Sequence, residues 1–369
     1  MRVFHCDHCD NLAFFENTAC LQCGHLLAFV PALMEIGSLD PESDGTWRSP
    51  HPSAQERRFR LCANYDGAQV CNWVVDARES ETFCEACRLT TTIPNLAIEG
   101  HREAWYKLEL AKRRLVYTLL NLKLPAAPRS RDPRGLAFEF LADGANGAAP
   151  VLTGHANGTI TVNLAEADDA ERERRRHALG EPYRTLLGHF RHEVGHYYWE
   201  RLIEGTDRHE PFRALFGDER DDYQSALQRH YAGGPPADWQ SRFVSAYASA
   251  HPWEDWAETW AHYLHMTDTL ETAAACGISI RPRRRDEPTL ASVPATAGTL
   301  ASPFDRLIAS WFPVTYLLNN LNRGLGIPDG YPFVLSPAAV DKLRFVHDTI
   351  ALVECRLPSP ELTPSSGPA

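Results

Sequence analysis

The apolar positions divide this chain into a front stretch of weak periodicity and a longer remainder dominated by helical spacing. From His101 to Leu124 the pattern is helical, with Leu108, Leu110, Leu115, Leu119 and Leu122 among its apolar positions, and Pro125-Ala-Ala-Pro128 ends it. Alternation then takes over. Leu136–Leu141 and Val151–Thr153 read as strands, and Asn157-Gly158 is a hairpin signal leading into the strand Thr159–Leu164. Helical spacing returns between Pro182 and Gly205, where Leu187, Phe190, Val194 and Tyr197 share one face. Asp218–Asp222 and Ala226–Tyr231 read as helical, up to the break Gly233-Gly-Pro-Pro236. After Pro252 a second strong helix carries Trp253, Trp256, Trp260 and Leu264 as its buried stripe, with Glu254, Glu258 and His262 on the other face. Residues 281–301 read as a flexible connection, Pro303–Arg323 and Pro337–Leu357 as helices, and 358–369 as a disordered tail.

The polar side of the first of these two strong helices carries the chemistry. His192, Glu193 and His196 form H-E-x-x-H. Four residues apart on a helix, the two imidazoles stack one turn apart and can share one zinc ion, with Glu193 placed to take a proton from a water. A chance match in a chain with sixteen histidines is the alternative, and a third ligand decides between them. The pattern H-E-x-x-H-x-x-G-x-x-H does not supply it, because Trp199 and Leu202 occupy its glycine and last histidine positions. A glutamate from the later helix does: Glu254 as ligand, with Glu258, one turn on, bonded to the free nitrogen of a zinc histidine. Acidic residues in a first helical turn also favour the helix dipole, which is the competing account of Glu254 and Asp255. His189 lines the same face and has no assigned role.

Composition changes the picture at the front of the chain. The 369 residues, 44% hydrophobic and 23% charged, describe a globular protein with room for more than one domain. The net charge of −11 argues against a general nucleic-acid binder. No apolar run is long enough to span a bilayer, and Met1-Arg-Val-Phe-His-Cys has no signal-peptide core, so the expected address is the cytoplasm without a membrane partner. Ten cysteines in such a compartment point to metal rather than disulfides. Cys6-x-x-Cys9 and Cys20-x-x-Cys23 read as two knuckles closing a four-sulfur structural zinc site; iron is the chemical alternative, since spacing does not identify the metal. Cys62, Cys71, Cys84 and Cys87 read as a second such site, set against a reading in which Cys62 and Cys71 are small buried residues beside a half-used knuckle.

These motifs carry a resemblance. H-E-x-x-H followed by Glu254-Asp-Trp-Ala-Glu258 looks like the gluzincin metallopeptidases, and the second helix resembles that of anthrax-lethal-factor-like proteases. The whole chain is similar to a bacterial family of zinc-binding metallopeptidases with an N-terminal zinc ribbon, through segments such as Phe15-Glu-Asn17, Cys71-Asn-Trp73, Thr153-Gly-His155, Gly217-Asp-Glu-Arg220 and His251-Pro-Trp-Glu-Asp255. The resemblance implies Glu254 as metal ligand and Tyr247, seven residues before it, as the group stabilising the oxyanion. It also implies a sheet whose edge strand pairs with an extended peptide, for which Thr159–Leu164 is the candidate.

The expected fold class is thus α+β: a predominantly helical, zincin-like domain with a small sheet, preceded by a zinc-ribbon module. The expected domains are 1–95 (ribbon), 96–277 (catalytic), 278–357 (linker and covering helices) and 358–369 (tail). The expected cofactors are one catalytic and two structural zinc ions, and the expected partner is a peptide or protein substrate. The rival reading is a zinc-organised scaffold that binds a peptide or protein without cutting it.

Overall fold

The computed structural model describes residues 1–144, 151–179, 184–281 and 303–356. The tail at 358–369, most of the connection 281–301, and Pro182 fall outside them.

The front of the chain is built from short strands between cysteines. β1 (Phe4–His5) pairs with β2 (Leu12–Ala13), and β3 (Leu26–Val30), β4 (Glu35–Pro41), β5 (Trp47–Arg48), β6 (Arg58–Leu61) and β7 (Val74–Asp76) form an antiparallel sheet in sequence order. The one-turn helix α1 (Ala63–Asp66) lies between β6 and β7. The strand β8 (Thr90–Thr92), inside the stretch assigned to the ribbon, instead joins the sheet of the following part.

That second sheet has the order β10-β11-β9-β8, with β9 at Ala137–Leu141, β10 at Gly154–Ala156 and β11 at Thr159–Asn163. The turn between β10 and β11 has positive φ at both Asn157 (47°) and Gly158 (81°), the conformation a two-residue hairpin needs. Two expectations shift here. Val151–Thr153 is not a strand; the pairing begins at Gly154. β11 is not the edge: it is bonded on both sides, to β9 in parallel and β10 antiparallel, and the edge strands are β10 and β8. Its strict alternation reports two faces, which an inner strand shares with an edge strand.

The helices are α2 (His101–Asn121), α3 (Asp169–Leu179), α4 (Leu186–Leu202), α5 (His209–Phe216), α6 (Tyr223–Gly233), α7 (Trp239–Arg242), α8 (Pro252–Ala275), α9 (Phe304–Gly324) and α10 (Pro337–Arg356). The architecture is α+β and mainly helical, as expected. α4 begins at Leu186, where the Thr185 hydroxyl accepts from the Gly188 N–H at 3.0 Å. Asp218–Asp222 is a turn rather than a helix: Asp222 caps α6 by accepting from the Ser225 N–H at 2.8 Å.

α2 joins the two parts. The buried Arg113 guanidinium donates to the Val70 carbonyl, while Glu109 accepts from Lys112 (2.8 Å) and from Thr90 of β8 (2.9 Å). Further along, Tyr117 donates to Glu271 of α8 at 2.9 Å, and its ring meets Phe15 and Phe29 of the front part edge-on. The core is therefore continuous from the cysteine region through α2 to α4 and α8. α8 is buried nearly all round: Glu254, Asp255 and His262 are as enclosed as Trp256, Trp260 and Leu264. The face read as polar is turned toward other elements, so the helix is a central post rather than a half-exposed one. No described helix is long and apolar enough to cross a membrane.

Candidate metal centres

Among the described residues, three groups of side chains converge closely enough to hold a metal ion, each with its donor atoms within 4.8 Å of one another: Cys6, Cys9, Cys20 and Cys23; Cys62, Cys71, Cys84 and Cys87; and His192, His196 and Glu254.

In the first, Cys6 and Cys23 sulfurs are 3.7 Å apart, and Cys9 and Cys20 sulfurs 3.6 Å. A disulfide requires about 2.0 Å. Four sulfurs at about 2.3 Å from a central ion stand about 3.8 Å apart, so the spacing matches a tetrahedral cage. The Cys20 thiol is drawn down to about 6, first by the Cys23 backbone N–H. The second group is more enclosed. All four residues are buried, Cys71 and Cys84 sulfurs are 3.7 Å apart, and the N–H groups of Trp73, Cys84 and Cys87 point at the sulfurs of Cys71, Cys62 and Cys84, each at 3.4 Å. The loose spacing of Cys62 and Cys71 is taken up by α1 and the loop after it, so both reach the knuckle at Cys84 and Cys87.

The third group depends on how closely α4 and α8 approach. Gly195, inside the H-E-x-x-H run, sits at their crossing: a Cβ there would lie 3.0 Å from the Ala257 Cα and 3.2 Å from the Trp260 Cβ. Trp256 adds a hydrogen bond from its indole N–H to the Gly195 carbonyl at 2.9 Å. With the helices this close, His192 Nε2 lies 3.0 Å from Glu254 Oε2, and His196 Nε2 lies 3.7 Å from Glu254 Oε1. Donors at about 2.1 Å from one ion in a tetrahedron are about 3.4 Å apart. The donor set fits zinc: two imidazole nitrogens and one carboxylate, on two helices pinned together.

The surrounding groups orient it. His192 Nδ1 donates to Glu258 Oε1 at 2.7 Å, and Ser245 donates to the other Glu258 oxygen at 2.6 Å. The Ser245 hydroxyl in turn accepts from the Ala248 N–H at 3.1 Å, within the turn that carries Tyr247. Burial by itself pushes His192 down, but the Glu254 and Glu258 carboxylates outweigh it and hold the ring well above its usual range. For His196 burial prevails over the same two carboxylates, which act on it without a hydrogen bond, and lowers it to about 4. Burial raises the Glu193 carboxyl, and the charge of Glu254 adds to this against His192.

Tyr247 lies in a short turn just before α8, its ring 6.0 Å from that of His192. Burial, and then the Glu254 charge, hold its phenol far above the usual range, so it stays protonated. His189 is 3.4 Å from Glu166 rather than in the donor set. His155 on β10 faces His196 at a ring distance of 6.2 Å, but its Nε2 is occupied by the Gly158 N–H at 2.9 Å. Sequence reasoning did not find Tyr223, which donates to Glu254 Oε1 at 2.6 Å, or Ser245. Neither stands in a motif. Nor did it find Lys342 of α10, which bonds the buried Asp255 at 2.5 Å beside Glu254.

The family model described as "Putative zinc-binding metallo-peptidase" matches residues 101–349, well over half of the chain. The chain belongs to that family. A zinc-ribbon model matches residues 3–98 of this metallopeptidase-family protein. Relatives include an uncharacterized protein of Mycobacterium bovis and two of Mycobacterium tuberculosis strains, each 44% identical over 352 residues, or 95% of both chains. No solved structure matches.

Proposed function

We propose that the protein is a zinc-dependent peptidase of gluzincin type, with one catalytic zinc on His192, His196 and Glu254 and structural zinc ions in the two four-cysteine sites. The observation that carries this reading is the convergence of two helices on those three donors, with Glu193 next to the first histidine. Zinc bound there supplies Lewis acidity to the scissile carbonyl and lowers the pKa of an attacking water.

The protein's own groups do the rest. Glu193 accepts the proton of the attacking water and delivers it to the leaving amine, a task suited to a carboxyl that burial raises above its ordinary value. Tyr247, protonated and facing the site, donates to the oxyanion of the tetrahedral intermediate. Glu258, braced by Ser245, holds the His192 ring with Nε2 toward the donor set. An extended peptide or protein segment pairs with the rim strand β10, whose His155 lies beside His196.

The test is Glu193→Gln. It should keep its zinc while hydrolysis of a quenched-fluorescent peptide library falls by about a hundredfold or more, the range of a lost general base. Turnover retained at the wild-type rate would refute the mechanism.

A further inference from the structure

Tyr223 begins α6, behind the Asp222 cap, and its hydroxyl donates to Glu254 Oε1 at 2.6 Å. That is the oxygen nearer His196, while the other, Oε2, faces His192 Nε2. Glu254 is 1% exposed, so water does not compete for its oxygens, and a charge-assisted bond in such surroundings is a strong one. The Tyr223 ring is itself held edge-on against His251 (5.2 Å) and Trp253 (6.2 Å). His251 caps α8 through its Nδ1 (3.1 Å from the Trp253 N–H) and bonds the Asp221 carbonyl through Nε2 (3.1 Å). The start of α6 and the start of α8 are thus tied together twice, once through the backbone cap and once through the ligand carboxylate.

We infer that Tyr223 is a positioning residue of the metal centre: its phenol engages one oxygen of Glu254 and leaves the other for the ion, and so couples the start of α6 to metal affinity. The inference rests on the reading of Glu254 as a ligand. It assigns to α6 a part in building the centre.

The experiment measures zinc affinity, not turnover. Full-length wild type and Tyr223→Phe are titrated with a graded chelator, and the zinc that leaves before the cysteine-bound ions is counted, with circular dichroism and thermal unfolding as checks on the fold. Tyr223→Phe should weaken that zinc by on the order of tenfold to a hundredfold, the usual cost of losing a group that orients a ligand. Its unfolding midpoint without the ion should fall modestly, because the buried Glu254 carboxylate loses a donor there too, while unfolding stays cooperative. Should Tyr223→Phe fold poorly, Asp222→Ala loosens the α6 cap and should weaken the same zinc in the same direction by a smaller factor. Affinity within about twofold of wild type in a folded Tyr223→Phe overturns the inference and leaves the peptidase reading standing. A wild-type chain with no zinc beyond the cysteine-bound ions refutes both.

Discussion

Gly195 shows how much of the candidate centre hangs on a single missing side chain. Nothing about its backbone is unusual; it is an ordinary helical residue whose hydrogen atom stands where a methyl group would meet the α8 backbone. Gly195→Ala should push α4 and α8 apart at the level of the ligands. The expected cost is about 1–3 kcal/mol, as for other overpacked positions. Urea unfolding reads this directly, and zinc analysis should show weakened retention of an ion at His192, His196 and Glu254. An alanine variant of full stability and unchanged zinc content would mean that the helices slide to accommodate it. At this scale the sequence was legible where a motif stood. The histidines, Glu193 and both cysteine sets could be picked out because their spacing is local. Tyr223 and Ser245 could not, because each meets its carboxylate only through a turn whose path the sequence does not show.

At the scale of elements, α8 is the member on which the others converge, and its first turn is clamped from the far end of the chain. Lys342 of α10 lies within 2.5 Å of Asp255 and also donates to the Arg242 carbonyl at 3.0 Å. Farther along the same pair of helices, Tyr263 and His347 are bonded at 2.9 Å. α10 therefore holds the helix that carries Glu254, where the sequence pattern allowed only a covering role. Lys342→Met should cost about 3 kcal/mol, the low end for breaking a buried pair. The low end applies because burial pushes the Asp255 carboxyl up to about 7 even opposite the lysine. Adding Asp255→Asn should recover part of the loss, which a double-mutant cycle of unfolding free energies would measure; strict additivity would deny the coupling. Most helices and the β10–β11 hairpin were visible in the apolar period. The inner place of β11 was not, because hydrogen-bonding partners on a strand's two sides leave no trace in its alternation.

At the scale of the whole molecule, two family models meet near residue 100, yet the core runs through the junction. Tyr117 packs on Phe15 and Phe29, Arg113 reaches Val70, and one cluster of buried side chains embraces both parts. Residues 101–356 expressed without the cysteine-rich part should bare this face of α2 and aggregate. A monodisperse fragment with cooperative unfolding would show that the parts are separable after all. Composition anticipated the cysteine clusters, since a front stretch so poor in periodic apolar residues needs metal to hold it. It gave no sign that the cysteine-rich part would lend a strand to its neighbour.

That loan has a temporal side. β8 follows Cys87 by only a few residues, but its partner β9 is some forty-five residues downstream. On a ribosome the sulfur cages can close early, while Thr90–Thr92 must wait for Ala137–Leu141 to emerge before it has anything to pair with. The amino-terminal part thus reaches its final form only after the strand Ala137–Leu141 of its neighbour has been synthesised.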